Sequence, residues 1–206
     1  MVAVKQRGAT SPPRNESSES GDPLFETAVR CFLRDGWVDM RALAVEAGVG
    51  RATLYRRLGA RDEVLGEVLW TLTQRSLESA RTKTRAAGAT GTDRVVAILR
   101  STMTDVVSFP ALRHLLERDP ETALRILTSK DGVVQARVVR AIEQLVLEEM
   151  GPPRGITSAA LAYAITRVAE SFCYSDVIAG QAPDIESAAE IIRRLLTEPK
   201  NIVNTP

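Results

Sequence analysis

The chain is poor in the residues that support metal and thiol chemistry. It has one histidine, His114, and two cysteines, Cys31 and Cys173, that are far apart in the sequence. Because His114 has no His or Cys neighbour in sequence, neither a zinc site nor a Cys–His pair is predicted, and no cofactor is expected. Both thiols are expected to be buried and reduced, as in a cytoplasmic protein.

Long apolar runs and strand patterns are also lacking. No apolar stretch reaches the roughly 18 residues of a membrane span, and Lys5 and Arg7 are not followed by the apolar segment of a signal peptide. No alternating strand pattern or Gly-rich phosphate loop is evident. His114, Glu117 and Asp119 lie close together, but no nucleophile or oriented base accompanies them. We therefore do not expect an enzyme.

Positive charge is concentrated in one short part of an otherwise neutral chain. The 206 residues contain 27 Lys and Arg against 26 Asp and Glu, and 44% are hydrophobic, which is enough for a sizeable core. Between positions 41 and 61 the only acidic residue is Glu46, and the basic ones are Arg41, Arg51, Arg56, Arg57 and Arg61. This local excess indicates a surface for an anionic partner.

The segment from Asp39 to Leu65 has the pattern of two short helices joined by a tight turn. Asp39 is a suitable N-cap, and Gly48 suits the left-handed backbone of a turn. A second helix over 51–58 turns Leu54 and Leu58 inward. The residues that remain available to a binding partner are Arg51, Ala52, Thr53, Tyr55, Arg56 and Arg57. The pattern predicts a helix-turn-helix unit.

Two interpretations of this arginine-rich face compete. It can be a solvated helix face, which is common, or a surface that binds DNA. The Gly turn, the small residues at the helix crossing and Tyr55 among the arginines favour DNA, because Arg binds phosphates and guanine edges and Tyr reaches phosphates. A helical adaptor that binds protein would leave the arginine cluster without a function.

The same residues resemble the TetR family of transcriptional regulators. LFETAVRCFLRDGW (24–37) resembles its first helix, and AVEAGVGRATLYRRLGARDEVL (44–65) is similar to its signature AxxAGVSxGTLYxHFxSKExLL. The resemblance implies that Arg51, Thr53, Tyr55 and Arg56 contact bases and backbone. It also implies that Arg61 takes the place of a Lys that contacts phosphate.

The chain also departs from this family pattern. The link after Trp37 is about two residues shorter than usual and lacks a phosphate-binding Thr or Ser before the next helix. Arg57-Leu58 stands where His-Phe is usual, and Gly50 where Ser is usual. The chain also resembles one branch of this family, that around the quorum-sensing lactone degradation regulator, QsdR. The resemblance lies in the forms DMRALA, GVGRATLYR and LGEVLW and in segments 123–139 and 170–180.

The remaining sequence predicts an all-α protein of about nine or ten helices. We expect a disordered tail at 1–21, a three-helix helix-turn-helix domain at 22–66, a ligand-binding and dimerisation bundle at 67–198, and a tail at 199–206. After the helix-turn-helix the predicted helices cover 60–83, 93–109, 110–118, 120–129, 133–150, 157–179 and 184–197.

The predicted bundle has two expected functions. The last two helices are candidates for a homodimer interface, because one short helix makes too few base contacts and a dimer reads a near-palindromic double-stranded operator. The resemblance implies a repressor that a ligand releases from DNA, with a lactone-type effector as the first expectation. An orphan regulator without an effector is the alternative.

One row of side chains is a candidate ligand site. Tyr163, Arg167, Glu170 and Tyr174 recur at helical spacing and could orient an oxygenated ligand in an apolar pocket. Equally, Arg167 and Glu170 can form an ion pair while both tyrosines cap the dimer interface. Five further residues are candidate pocket walls or ordinary core: Trp70, Phe109, His114, Leu127 and Val134.

Overall fold

The computed structural model describes residues 21–129 and 132–197, and within them it confirms the predicted all-α class. Eleven helices and no strands are present in these residues. The predicted tails at 1–21 and 199–206 lie outside the described residues, except for Gly21. The helices are α1 (Pro23–Asp35), α2 (Met40–Glu46), α3 (Arg51–Leu58), α4 (Arg61–Ala86), α5 (Gly91–Ser108), α6 (Pro110–Arg118), α7 (Pro120–Thr128), α8 (Val133–Met150), α9 (Ser158–Cys173), α10 (Ser175–Ala179) and α11 (Ile185–Leu196).

The first three helices form a small unit whose ends are set by local capping. Asp22 caps α1 through the amide of Leu24, and α1 ends at Gly36, whose backbone is left-handed (φ 63°). The unit has its own buried apolar contacts among α1, α2 and α3, made by Phe32, Val38, Leu43 and Leu54. It therefore presents α3 on a rigid base.

The long helix α4 joins this unit to the bundle. It packs against α1 at one end and against α5, α7 and α8 along its length. Gly66 lets α8 approach closely, since a Cβ on Gly66 would lie 2.9 Å from Cγ2 of Val133. No single helix of the described residues is long and apolar enough to cross a membrane, although α5 and α6, bent by 58°, reach that length and composition together.

The predicted continuous helix over 157–179 is wrong, because the chain breaks at Tyr174. The backbone of Tyr174 leaves the helical region (φ −112°, ψ 18°), and the Ser175 hydroxyl donates to the carbonyls of Phe172 and Gln181. The break separates α9 from α10 and lets Asp176 pair with Arg113 of α6. The break also accounts for the larger helix count among the described residues.

Candidate DNA-binding surface and interior cavity

The helix-turn-helix forms as the sequence predicts. Asp39 caps α2 by accepting hydrogen bonds from the amides of Arg41 (2.7 Å) and Ala42 (3.1 Å). Gly48 is left-handed (φ 65°) in the turn, and the Val49 amide closes it onto the Ala44 carbonyl (3.0 Å). The bounds of α3 agree with the predicted 51–58.

The outer face of α3 is rich in exposed polar groups. Arg51, Ala52, Arg56 and Arg57 are exposed, Thr53 is half-buried, and Tyr55 is 49% exposed. Arg51 and Arg56 form no ion pair with any residue that the structure describes. Their guanidinium groups are therefore free to bind an external anion.

Arg57 differs from its neighbours on α3. Its Nη2 lies 2.6 Å from Oδ1 of Asp22, the N-cap of α1. This pair joins the start of α1 to the end of α3 and offsets the charge of Arg57. Arg57 is consequently less available to an external anion than Arg51 or Arg56.

A cleft of about 400 Å³ opens beside α3. It brings together side chains from α2, α3 and the start of α4, and it is lined by Trp37, Val38, Asp39, Met40, Arg41, Arg51, Tyr55 and Arg61. Arg41 is exposed and makes no ion pair within the described residues, whereas Arg61 lies 3.3 Å from Asp62. The cleft thus holds three arginines and one carboxylate.

Trp37 connects this surface to the bundle, a role that we did not predict. The guanidinium of Arg61 lies 4.3 Å from the Trp37 ring centroid, and that of Arg118 from α6 lies 4.7 Å from it. Asp62 receives a hydrogen bond from Arg125 of α7 (2.8 Å), which lowers the pKa of Asp62. The start of α4 is therefore held by two bundle helices.

The bundle contains two adjacent, partly open apolar cavities of about 90 and 120 Å³. Both are lined by Thr73, Val106, Leu127 and Tyr174. The first is also lined by Leu77, Leu99, Thr102, Met103, Val134, Val138, Ile142, Thr166, Ala169, Glu170 and Cys173, and the second by Leu69, Leu72, Ser76, Asp105, Phe109 and Leu112. Among the described residues, no Arg, Lys or His lines either cavity.

The predicted polar-aromatic row is split between the cavity and the surface. Glu170 and Tyr174 line the first cavity, whereas Tyr163 (54% exposed) and Arg167 lie on the outer face of α9. Arg167 reaches back to Glu170, with Nη1 2.5 Å from Oε2, so the ion-pair alternative holds for these two residues. Burial raises the pKa of Glu170, and Gln135 also donates to its carboxylate.

Tyr174 is a deeply buried polar group of this wall. It is 7% exposed, and burial raises the pKa of its phenol. Its hydroxyl forms no hydrogen bond with the residues that the structure describes. By contrast, the hydroxyls of Thr73, Thr102 and Thr166 donate to carbonyls of their own helices.

The other predicted wall residues are divided in the same way. Phe109, Leu127 and Val134 line the cavities. Trp70 instead lies in an open groove between α4 and α8, with the Arg137 guanidinium 5.9 Å from its ring. His114 is exposed on α6 and packs against Gly36, where a Cβ would lie 2.8 Å from the imidazole.

Cysteine and acidic residues form no metal centre in the described part of the chain, where no cluster of three or more His, Cys, Asp or Glu side chains is found. The prediction that Cys31 and Cys173 are buried and unpaired is confirmed. Burial raises the pKa of Cys173 to about 12 and also raises that of Cys31. Neither thiol is poised to react.

Comparison with known proteins decides the family. A family model described as "Tetracyclin repressor-like, C-terminal domain" matches residues 90–197, which is more than half of the chain. The chain belongs to the TetR family. With α3 in the helix-turn-helix position, it is a DNA-binding transcriptional regulator.

Two solved structures share this fold. The transcriptional repressor QsdR of R. erythropolis, from the TetR family, is 29% identical, with a TM-score of 0.74 over 84% of this chain and 92% of that one. The TetR family repressor AlkX of Dietzia sp. strain DQ12-45-1b, implicated in biodegradation of n-alkanes, shares the fold at 20% identity, with a TM-score of 0.63 over 85% of this chain and 96% of that one. The comparison with curated proteins found no match.

Proposed function

We propose that this TetR family regulator is a homodimeric repressor that reads a near-palindromic operator with α3. Arg51, Thr53, Tyr55 and Arg56 would contact bases and backbone, with Ala52 packed against the groove. Arg41, Arg57 and Arg61 would contact flanking phosphates. The observation that carries this proposal is the exposed face on which Arg51, Tyr55 and Arg56 lie together, with neither arginine in an ion pair to any described residue.

We assign reading of DNA to residues 22–66 and ligand binding with dimerisation to 67–198. The boundary falls inside α4, which continues from Arg61 to Ala86. A rigid helix shared by both parts would transmit a movement of the bundle to α3. The ion pair between Glu67 of α4 and Arg137 of α8 (2.5 Å) would strengthen that transmission.

We propose that α9 and α11 form the dimer interface. Tyr163 on α9 and Ile191 and Leu195 on α11 are exposed, and the two on α11 lie one turn apart. Leu161, Ile165 and Ile192 instead face the core of the subunit. Large exposed apolar groups on adjacent helices favour a second copy of this surface, because a stable interface needs a dehydrated apolar centre.

We further propose that the two cavities receive a small, uncharged and mainly apolar effector. Natural ligand pockets are typically about 300–1,000 Å³, whereas a dry cavity of about 150 Å³ suffices for benzene. Cavities of about 90 and 120 Å³ would therefore join around a short chain or a single ring. The Tyr174 hydroxyl would donate to one ligand oxygen.

The charges at the cavity walls favour an uncharged effector. Glu170 lines one cavity and Asp105 the other, and no described cation faces a ligand carboxylate. An anion there would lose its hydration without gaining a counter-charge. A lactone fits these requirements, and the resemblance to the QsdR branch points to the same class.

Release of DNA would follow from a population shift. Tyr174 lies two residues before Asp176, whose carboxylate pairs with Arg113 of α6. The next residue, His114, packs against Gly36 at the end of α1. A ligand that displaces Tyr174 would thus favour a state in which α6 and the DNA-binding unit have moved, and the two α3 helices are wrongly spaced.

The test is a gel shift on the DNA upstream of the gene, with paired lactones and the free carboxylates of the same chain length. We expect wild-type protein to bind, a lactone to release it, and Tyr174→Phe to bind DNA normally but respond more weakly. Binding that no compound releases would identify an orphan regulator. Specific binding that survives Arg51→Ala, Tyr55→Ala and Arg56→Ala would contradict the assignment of α3.

A further inference from the structure

One acidic residue lies inside the arginine-lined cleft. Asp39 is exposed and lines the cleft together with Arg41, Arg51 and Arg61. Its Oδ1 is fixed by hydrogen bonds from two backbone amides, at 2.7 and 3.1 Å. The carboxylate is thus held in position at the face that we assign to DNA.

The charge of this carboxylate is only partly offset by its surroundings. The two amides and the charges of Arg41 and Arg51 lower the pKa of Asp39, so the group is ionised at neutral pH. Nevertheless, no Arg or Lys nitrogen of the described residues comes within ion-pair distance of it. A phosphate that enters the cleft therefore meets three guanidinium groups and one uncancelled negative charge.

We propose that Asp39 weakens the binding of the DNA backbone, independently of base sequence. The inference rests on the proposed DNA-binding role of α3 and its cleft. Phosphate contacts supply most of the sequence-independent affinity, so a fixed carboxylate beside them lowers the affinity for every duplex. The capped amides of Arg41 and Ala42 already donate to Asp39, which leaves the arginine side chains to bind phosphate.

The effect would count twice in a homodimer, because each subunit places one Asp39 at the DNA. Sequence-independent binding would then stay weak, and base contacts by both α3 helices would be needed for occupancy. A regulator with such limited affinity is released by a small change in the spacing of its two reading helices. By limiting the affinity for DNA, Asp39 would allow ligand binding to release the protein from its operator.

The experiment compares wild type with Asp39→Asn, which removes the charge but keeps a good N-cap. The matched control is Asp184→Asn, since Asp184 caps α11 in the same manner through the amide of Ser187 (2.9 Å). Affinity is measured by fluorescence anisotropy over a salt series. The probes are a random-sequence duplex and a duplex selected by wild-type protein from a random pool.

We expect Asp39→Asn to bind both duplexes about threefold to tenfold more tightly at low salt, with a salt dependence steeper by about 0.9 per subunit. Asp184→Asn should match wild type. Unchanged or weaker binding by Asp39→Asn, at an unchanged melting temperature, overturns the inference. Loss confined to the selected duplex also overturns it, because Asp39 would then read a base.

Failure of the proposed function gives a different result. If Arg56→Ala weakens binding but Asp39→Asn does not strengthen it, α3 binds DNA and only the role of Asp39 is refuted. If Arg51→Ala and Arg56→Ala leave the affinity for both duplexes unchanged, the proposed surface itself is refuted, and the role of Asp39 falls with it.

Discussion

The buried ion pair between α5 and α8 gives the sharpest prediction about stability. Arg94 and Glu149 lie 2.7 Å apart, and each side chain is only 13% exposed. These helices also supply Leu99, Met103 and Val138 to the first cavity. Replacing Glu149 by Gln leaves the Arg94 charge desolvated without a counter-charge, which typically costs about 3 kcal/mol.

The same helix α5 offers a matched surface pair. Arg100 and Glu186 lie 3.4 Å apart, with side chains 53% and 77% exposed, so Glu186→Gln should change the free energy of unfolding by less than about 0.5 kcal/mol. Urea unfolding at one fixed protein concentration measures both variants. Glu149→Gln should lower the urea midpoint of unfolding by about 1 M, because the free energy of unfolding of a chain of this size falls by about 3 kcal/mol per M of urea.

Equal midpoint shifts for the two variants would refute this reasoning. The double variant Arg94→Met with Glu149→Leu provides a second check. Since both charges are then removed from a buried site, it should regain most of the stability that Glu149→Gln loses. A double variant as unstable as the single one would show that packing, and not the unpaired charge, sets the loss.

Two further predictions concern the contact between α6 and its neighbours. Gly36 and Gly180 both end helices with nearly the same left-handed backbone (φ 63° and 66°), but only Gly36 faces His114 and the Ala111 carbonyl. Each change to Ala should lower the free energy of unfolding by about 1 kcal/mol, because of the left-handed backbone. Melting curves should show a clearly larger loss of stability for Gly36→Ala, because its added Cβ would also clash with α6. The Arg113 guanidinium holds the pKa of Asp176 below its usual value, so its stabilisation is full above about pH 5 and lost as pH falls below about 4. The stability difference between wild type and Asp176→Asn should accordingly shrink on acidification, and a constant difference would contradict the pairing.

Local signals explain why the helix-turn-helix was predictable. The cap at Asp39, the left-handed Gly48 and the inward Leu54 depend on residues within a few positions of one another, so the bounds of α3 could be predicted to the residue. The pairing of Arg57 with Asp22 was not predictable in this way, because the two are 35 positions apart. Local spacing carries no information about such a contact.

The ligand site was only partly predictable for the same physical reason. Helical spacing placed Tyr163 and Tyr174 on one row, but α9 ends before Tyr174, which lines the cavities, whereas Tyr163 is exposed. Much of the wall of the first cavity comes from Leu, Val, Ile, Met and Thr of α5 and α8, whose pattern is that of ordinary core. Leu127, Val134 and Phe109 were predicted as candidate wall or core residues, whereas Met103 and Thr102 carried no distinguishing signal.

The salt dependence of DNA binding by Arg56→Ala tests the central claim most directly. Arg56 is exposed on α3, and Arg100 is an equally charged control on α5. Arg56→Ala should weaken binding to a selected duplex and reduce the slope of log affinity against log salt by about 0.9 per subunit. Arg100→Ala should change neither quantity. Identical affinities and slopes for Arg56→Ala and wild type would contradict the claim that α3 reads DNA.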